Sequence, residues 1–167
     1  MKNAVSLRSA EETDAEFFYN MMQEKDYQKY YLQRLVAKSI EEEKQKIEKY
    51  KKQSEKKTRY YFTILFDKQP AGLIDIYKIS LEDKRCSIGY GVTSKYWKKG
   101  IASKAVKLAI KFAKKQGLHS CEATVDPKNT ASKKVLEKNG FKKIGLVKDY
   151  YYENKKYWNI ELYWKIL

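Results

Sequence analysis

The feature that most constrains the fold of this chain is a change of hydrophobic period near Gly100. Before it, three stretches rich in apolar, aromatic and β-branched residues have the character of strands, with a period of two clearest in the last: Tyr60–Phe66, Ala71–Ile79 and Cys86–Thr93. After it, apolar side chains recur at helical spacing, and alternation returns from His119 to Val125. The pattern predicts an antiparallel meander of three strands, followed by an amphipathic helix and a further strand.

The strand–helix–strand part of this pattern predicts a crossover. Nearly all such connections are right-handed, and they place their two strands side by side and parallel. We therefore predict that residues 86–93 and 119–125 are parallel neighbours in an otherwise antiparallel sheet. The helix begins within the turn at Gly100, and Gly117 is well placed to end it.

The sequence before Tyr60 contains weaker signals for one strand and two helices. Val5–Arg8 alternates and predicts a first strand. Thr13-x-x-Glu16 and Ser39-x-x-Glu42 have the form of capping boxes, which start helices. The second predicted helix runs to about Lys52, is strongly charged, and is expected to be mostly solvated.

At the C-terminal end, a short helix is predicted to end at Asn139-Gly140, and two strands, Phe141–Tyr152 and Lys156–Leu167, close the chain. We therefore predict one domain over residues 1–167, of the α+β class. It should hold a mixed, twisted sheet of about seven strands, the antiparallel meander plus a parallel central pair, flanked by about four helices.

Composition excludes several classes of protein. No stretch approaches the roughly 20 apolar residues that span a bilayer, and the N-terminus lacks the apolar region of a signal peptide, so a cytoplasmic location is expected. The chain has a single histidine, His119, and its two cysteines, Cys86 and Cys121, lack metal or redox spacing and fall in predicted strands. We expect buried, inert thiols and no metal site.

The net charge is +15, and arginine contributes only Arg8, Arg34, Arg59 and Arg85, so lysine supplies most of the positive charge. Proteins that recognise a nucleic-acid sequence usually contact the bases through arginine. A lysine excess indicates general surface charge that attracts polyanions, among them coenzyme A, acidic protein surfaces and ribosomal RNA.

The segment Trp97–Ala102 has the properties of an anion site. The first N–H groups of a helix have no intrahelical partner, and the helix dipole adds positive potential there. Lys98 and Lys99 add charge, and Gly100 permits close approach of a phosphate. One glycine before a helix is by itself weak evidence of binding.

Two blocks in the right order make this segment more specific. The first is Gly91–Ala105, which contains Tyr96-Trp97-Lys98-Lys99-Gly100-Ile101-Ala102, and the second runs through Asp126-Pro127-x-Asn129-x-Ala131-Ser132 to Gly140-Phe141. Both resemble the GNAT N-acetyltransferases, and in particular their RimJ/RimL-type branch, which acetylates N-termini of ribosomal proteins. The resemblance covers the whole chain but is thin before Tyr60.

The resemblance implies a V-shaped split between the strands that end near Val92 and start near His119, with acetyl-CoA lying in the split. The Val92 backbone would hold the pantetheine arm, and the amides of residues 98–103 the pyrophosphate. The coenzyme-binding positions implied in this way are Val92, Trp97, Lys98, Lys99, Gly100, Ile101, Ala102, Ser103, Asn129 and Ser132.

Acetyl transfer requires an oxyanion donor and an acid for the leaving thiolate. The fixed backbone N–H of Val92 is the natural oxyanion donor. Many GNAT enzymes protonate the thiolate with a tyrosine where this chain has Leu136. Ser132 is the remaining candidate acid, and the alternative is that its hydroxyl only binds coenzyme.

The general base is less well defined. Asp75 and Asp149 are candidates that could relay a proton through water, although their positions favour surface or turn-stabilising roles. The family often has Asp in the closing hairpin where this chain has Asn159. The aromatic cluster of Tyr27, Tyr30 and Tyr31 lies in the segment that resembles the variable acceptor-binding part of the family. It either packs on the sheet or forms a wall of the substrate groove, for which Tyr30 and Tyr31 are the candidates.

The resemblance favours transfer of acetyl to a primary amine, most simply a protein N-terminal α-amine. Polyamine or other small-amine acetylation, including that of antibiotics, is a second possibility, although the stretch Tyr30–Arg34 lacks the acidic residues of the polyamine branch. A third, of another class, is a non-catalytic CoA- or RNA-binding module with weak contacts to polyanions or the ribosome. A monomer or a homodimer is compatible with each.

Overall fold

Seven strands and five α-helices make up the computed structural model, which describes residues 4–167; the start of the N-terminal stretch considered above lies outside these residues. The strands are β1 (Val5–Ser9), β2 (Tyr60–Phe66), β3 (Gln69–Ser80), β4 (Arg85–Val92), β5 (Ser120–Val125), β6 (Lys142–Glu153) and β7 (Lys156–Ile166). The helices are α1 (Ala15–Gln23), α2 (Lys25–Gln28), α3 (Ile40–Glu55), α4 (Ile101–Lys115) and α5 (Thr130–Lys138). The short α2 is an addition to the predicted set.

All seven strands form one sheet in the order β1-β2-β3-β4-β5-β7-β6. Strands β2, β3 and β4 are the predicted antiparallel meander. Strands β4 and β5 are parallel, with Cys86 opposite Cys121, and the other neighbouring pairs are antiparallel. The predicted crossover and α+β class are confirmed.

Each face of the sheet carries its own core. On one face, alternate residues of β3 and β4, including Ile74 and Ile88, pack with the apolar stripe of α4. On the other face, Tyr61 and Leu73 pack with α1, whose Phe18 is fully buried. Alternation along one strand therefore decides which helices a side chain meets.

The capping box predicted at Thr13-x-x-Glu16 is wrong. The box is instead Glu11-x-x-Asp14, in which the Asp14 carboxylate accepts the Glu11 N–H at 2.9 Å, and a 3-10 turn over Glu12–Asp14 leads into α1. The Asp14 side chain is buried against Arg8 and the Thr63 hydroxyl, which donates at 2.7 Å. The helical segment therefore begins two residues earlier than the pattern indicated.

The second predicted start is correct in part. Ser39 Oγ accepts the Glu42 N–H at 3.1 Å and caps α3, but the Glu42 carboxylate accepts from Lys38 N rather than from Ser39 N. The helix is mostly solvated, as predicted, although one of its charged residues, Glu43, is fully buried. Gly117 ends α4 as predicted, at a φ of +81°.

The two cysteines are free and buried in strands, as predicted. Within residues 4–167, no group of three or more His, Cys, Asp or Glu side chains is arranged to hold a metal ion. None of the helices in this range combines the length and apolarity needed to cross a bilayer.

Candidate active site

The two parallel strands separate before they end. Pairing between β4 and β5 covers only Arg85–Ser87 opposite Ser120–Glu122. β4 continues to Val92, while β5 pairs along its whole length with β7 on its other side. The strands thus leave a V-shaped opening between their carboxyl ends, at the place that the sequence indicated.

The backbone of Val92 faces this opening. Antiparallel neighbours alternate between hydrogen-bonded and non-hydrogen-bonded pairs. Thr93 donates its N–H to Ala71 O at 3.0 Å, so the next pair, Gly72 with Val92, is a non-hydrogen-bonded one. The N–H and C=O of Val92 therefore point away from β3 and toward β5. Trp97 Nε1 donates to that carbonyl oxygen at 2.7 Å, which fixes the strand end beside the opening.

The start of α4 forms the next part of the site. Gly100 has a φ of +73°, and a Cβ at this position would meet no atom within 4 Å, so the loop is open at its surface. The first intrahelical bond runs from Lys104 N to Gly100 O. The N–H groups of residues 101–103 precede it and are the donors that a helix start offers to an anion.

The lysines of this loop take different directions. Lys98 has a left-handed backbone, with a φ of +61°, and lines the cavity described below. Lys99 lies over the rings of Tyr96 and Phe66, with Nζ 5.3 and 5.9 Å from their centroids, and does not line that cavity. The charge that the loop offers to a phosphate therefore comes from Lys98.

One continuous cavity of about 610 Å³ joins these features. It contains every predicted coenzyme-binding residue except Lys99, together with both predicted acceptor-side tyrosines. Its lining includes Asp26, Tyr27, Tyr30, Tyr31, Tyr90, Val92, Lys98, Gly100, Asn129, Ser132, Lys134 and Lys138.

Ser132 sits on the α5 wall of the cavity. Asn129 Oδ1 caps α5 by accepting the Ser132 N–H at 3.0 Å, which fixes the Ser132 backbone. The Ser132 hydroxyl lies 2.9 Å from the Tyr90 hydroxyl, and Leu136 is fully buried in the core. Burial raises the pKa of Tyr90 above its ordinary value, so this phenol remains a neutral donor.

Tyr90 was missed by the sequence analysis. The available signal was the alternation of β4, which puts Tyr90 on the same face as Ile88 and Val92, toward α4 and α5. No local pattern indicates that α5 brings Ser132 within hydrogen-bonding distance of Tyr90.

Asp75, a candidate base, lies in an ion pair. Arg59 Nε donates to one carboxylate oxygen at 2.9 Å, a second nitrogen of the guanidinium donates to the other, and the Tyr50 ring stacks on the guanidinium at 3.6 Å. Burial raises the pKa of Asp75 although Arg59 opposes the shift. Asp75 is on the α1 and α3 face of the sheet and does not line the cavity.

Asp149, the other candidate base, is exposed on the edge strand β6. Its φ of +53° interrupts the pairing of β6 with β7, and its N–H donates to Asn159 Oδ1 at 2.9 Å. The strand alternation that would have placed it beside Tyr151 is broken here. Neither candidate carboxylate lines the cavity.

A lobe of three tyrosines, Tyr27, Tyr30 and Tyr31, forms the opposite wall, with the rings of Tyr27 and Tyr31 5.1 Å apart. The lobe is tied to the end of β4 by Glu24, whose carboxylate accepts the Thr93 hydroxyl and, at 2.8 Å, the Ser94 N–H. The sequence analysis did not identify Glu24.

Arg34 connects the segment after this lobe to the closing hairpin. Its N–H donates to Glu153 Oε1 at 2.9 Å, and its guanidinium donates to Tyr152 O at 3.1 Å. The guanidinium also lies 5.3 Å from the centroid of the Tyr151 ring. The chain thus bridges from the tyrosine lobe to the strands on the far side of the opening.

Residues 5–142 match the acetyltransferase (GNAT) domain family, which is most of the chain. The chain belongs to this family. Among curated GNAT relatives, the uncharacterized N-acetyltransferase p20 of Bacillus licheniformis is 41% identical over 73 residues, or 43% of this chain and 41% of that protein. This chain spans between 41% and 63% of the length of the curated relatives it matches.

Solved GNAT structures share the fold. The ribosomal-protein-S5-alanine acetyltransferase of Vibrio fischeri superposes with a TM-score of 0.87 at 25% identity, over 99% of this chain and 94% of that one. RimJ of Mycobacterium smegmatis, solved in complex with a CoA disulfide, superposes with a TM-score of 0.89 at 22% identity, over 97% and 81% of the two chains. The predicted GNAT family and its RimJ/RimL-like fold are confirmed.

Proposed function

We propose that this chain is an acetyl-CoA-dependent N-acetyltransferase that transfers acetyl directly to a primary amine, in particular a protein N-terminal α-amine. One observation carries the proposal. The backbone N–H of Val92 points into an opening that lies between the anion-binding start of α4 and the tyrosine lobe, within a single cavity. A donor and an acceptor can therefore meet at a fixed hydrogen-bond donor.

The residues present fit coenzyme A. Its pyrophosphate matches the open αL turn at Gly100 and the free N–H groups of residues 101–103. Lys98 lies on the loop side of the cavity, and Lys134 and Lys138 lie on the α5 side. These lysine side chains on both sides of the cavity can attract the negatively charged phosphate groups of coenzyme A.

In the reaction we propose, the amine nitrogen attacks the acetyl carbonyl carbon, a C–N bond forms, the C–S bond breaks, and the thiolate takes up a proton. Val92 N–H would stabilise the oxyanion, since its position is fixed before reaction. Ser132 would give its proton to the thiolate, and the Tyr90 hydroxyl, 2.9 Å away, would return a proton to Ser132 while taking one from water. That water receives the proton that the amine nitrogen loses, so Tyr90 ends as a neutral phenol.

The charges of the cavity favour an α-amine over a polyamine. Asp26 is the one carboxylate among the described residues that line it. The nearby carboxylates of Asp75, paired with Arg59, and Glu43, paired with Lys46 at 3.0 Å, lie away from the lining. A polyamine carries several positive charges and would need more acidic partners. An α-amine, with a pKa of about 7.7–8.0, is already partly neutral at pH 7 and needs only a weak base or water.

We also propose that residues 1–167 form one N-acetyltransferase domain, that it works in the cytoplasm, and that it acts as a monomer or a homodimer. Two buried thiols on neighbouring strands that remain free are consistent with a reducing compartment.

The test is an acetyl-transfer screen over N-terminal peptides, polyamines and aminoglycosides, with thiol release and product mass as the two readouts. We expect turnover on peptides with a free N-terminus and none on the same peptides with a blocked N-terminus. Higher turnover on polyamines or aminoglycosides than on peptides would overturn the proposed acceptor. If the protein binds RNA with a steep salt dependence and releases no thiol with any amine, it is a binding module and the proposed enzymatic activity is wrong.

A further inference from the structure

We propose that the hydroxyl of Tyr27 receives the acceptor amine, by accepting a hydrogen bond from its N–H and so aiming the nitrogen lone pair at the acetyl carbon. This inference rests on the proposed function and assigns a positioning residue to it. Tyr27 lines the acceptor side of the cavity, and its hydroxyl is buried with no hydrogen-bond partner among residues 4–167. Buried hydroxyls are nearly always paired, so an unpaired one on a cavity wall points to a ligand.

The ring of Tyr27 lies directly on the backbone of β4. A Cβ built at Gly91 would come within 2.3 Å of Tyr27 Cε2 and 2.6 Å of its Oη. Because residue 91 is glycine, the hydroxyl can approach the strand one residue before Val92. The hydroxyl and the Val92 N–H thus stand at neighbouring positions of β4, the hydroxyl over the α1 face and the N–H along the edge that faces β5.

The surrounding contacts hold Tyr27 in place without using its hydroxyl. Glu24 binds Thr93 and Ser94 at the end of β4, and Gln28 Nε2 donates to Met22 O at 3.0 Å, so both ends of α2 are fixed. The Tyr31 ring packs on Tyr27 from the side. A hydroxyl held in this way is oriented before the acceptor arrives, which reduces the entropic cost of binding.

The chemistry of the group decides its role. Burial raises the pKa of Tyr27 well above the ordinary value for tyrosine, and the nearby Glu43 and Glu24 carboxylates act in the same direction. The phenol is therefore neutral, and it positions the amine rather than removing its proton. A neutral hydroxyl oxygen can accept a hydrogen bond from the N–H of an uncharged amine without forming an ion pair. This interaction suits an α-amine, which is partly neutral at pH 7.

The experiment compares Tyr27→Phe with the wild type and with Tyr19→Phe, a matched change on α1 outside the cavity lining. The KM for the acceptor should rise about tenfold in Tyr27→Phe, as expected for one lost hydrogen bond, while the KM for acetyl-CoA stays unchanged. Tyr19→Phe should change neither. Affinity of the amine for the CoA-loaded protein, measured by calorimetry, should fall by the same factor.

Thermal unfolding separates positioning from a structural role. Removing an unpaired buried hydroxyl leaves no partner unsatisfied, so the Tm of Tyr27→Phe should equal or exceed that of the wild type. A lower Tm together with an unchanged acceptor KM would show that the hydroxyl is structural and would overturn the inference.

The remaining outcomes distinguish this inference from the proposed function. Wild-type transfer with an unchanged acceptor KM in Tyr27→Phe would overturn only the role of Tyr27. Amine binding that weakens in Tyr27→Phe, in a wild type that transfers no acetyl, would support the role of Tyr27 and overturn the enzyme. If no amine in the screen binds the CoA-loaded wild type, the proposed function and the role of Tyr27 are both wrong.

Discussion

The two walls of the cavity are built in different ways. The wall that we propose binds coenzyme, called the coenzyme wall below, consists mainly of backbone groups: the Val92 N–H, the αL turn at Gly100 and the amides at the start of α4. The wall that we propose binds the acceptor, called the acceptor wall, consists of tyrosine side chains placed over buried charge pairs, in which Glu43 meets Lys46 and Asp75 meets Arg59. One wall depends on local conformation, the other on contacts between distant segments.

This difference means that the walls should fail separately. A change that alters the αL turn should abolish coenzyme binding and leave the tyrosine lobe intact. A change that breaks a buried pair beneath the lobe should destabilise the acceptor side, while the start of α4 keeps its geometry.

The largest effect is expected when the pair beneath the acceptor wall is broken. Arg59→Met leaves the Asp75 carboxylate buried without its partner, which should lower the free energy of unfolding by about 4 kcal/mol. Urea unfolding measures this loss. The double variant Arg59→Met/Asp75→Leu removes both charges and should recover most of the stability; an equal loss in the double variant would show that packing, and not the unpaired charge, is responsible.

The same variant has a predictable dependence on pH. The pKa of Asp75 is already higher in the folded protein than its ordinary value, because burial outweighs Arg59. A carboxyl of this kind binds more protons in the folded state, so stability falls as pH rises from the unfolded to the folded pKa. Without Arg59 the folded pKa rises further, and the stability of Arg59→Met should fall more steeply than that of the wild type above about pH 4.

The next effect concerns the coenzyme wall. Gly100→Asp places a carboxylate against the pyrophosphate, and like charges about 4 Å apart near a protein surface repel by about 4 kcal/mol, so the Kd for CoA should rise about 1,000-fold. Gly117→Asp is the matched control, since Gly117 also has a positive φ and open space at its Cβ position but lies at the other end of α4. Calorimetry with CoA should find the control unchanged, and an unchanged Kd in Gly100→Asp would remove the loop from the site.

The contrast between the walls also explains how much the sequence could predict. The αL turn, the helix start and the Asn129 cap each lie within a few residues of chain, so the residues themselves indicate the conformation. The parallel pair followed from the handedness of crossovers. The start of α4 in the turn at Gly100 and the parallel pair were predicted correctly. The αL conformation of Gly100 and the cap that Asn129 provides were not part of the prediction.

The acceptor side could not be predicted in this way. Glu24 meets Thr93 across 69 positions of sequence, and Asp14 meets Thr63 across 49. The short α2 has too few residues for a helical period to emerge. Asp75 resembled a free carboxylate because the sequence alone does not reveal that β2 and its preceding turn bring Arg59 to it.

A smaller effect is expected at the α5 wall, where the thiolate would be protonated. Ser132→Ala should lower kcat about 100-fold, in the range of a lost general acid, with little change in the Kd for CoA. Tyr90→Phe should lower kcat less, since it removes only the group that resupplies the proton. Equal losses of CoA affinity and of turnover in Ser132→Ala would show that its hydroxyl binds coenzyme and is not the acid.

The smallest effect is expected where the acceptor segment is bridged to the closing hairpin. Arg34→Ala removes the guanidinium bonds to Tyr152 and Glu153 but keeps the backbone bond from residue 34 to Glu153. Because the Arg34 side chain is largely exposed, its ion pair contributes little, and the acceptor KM should rise only about two- to threefold. Arg85→Ala, which breaks an exposed pair with Asp83 far from the opening, should leave that KM unchanged. If the KM of Arg34→Ala rises for a long acceptor peptide and not for a short one, Arg34 lies beside the part of the peptide that follows its N-terminus. The acceptor wall would then extend from the tyrosine lobe to β6 and β7.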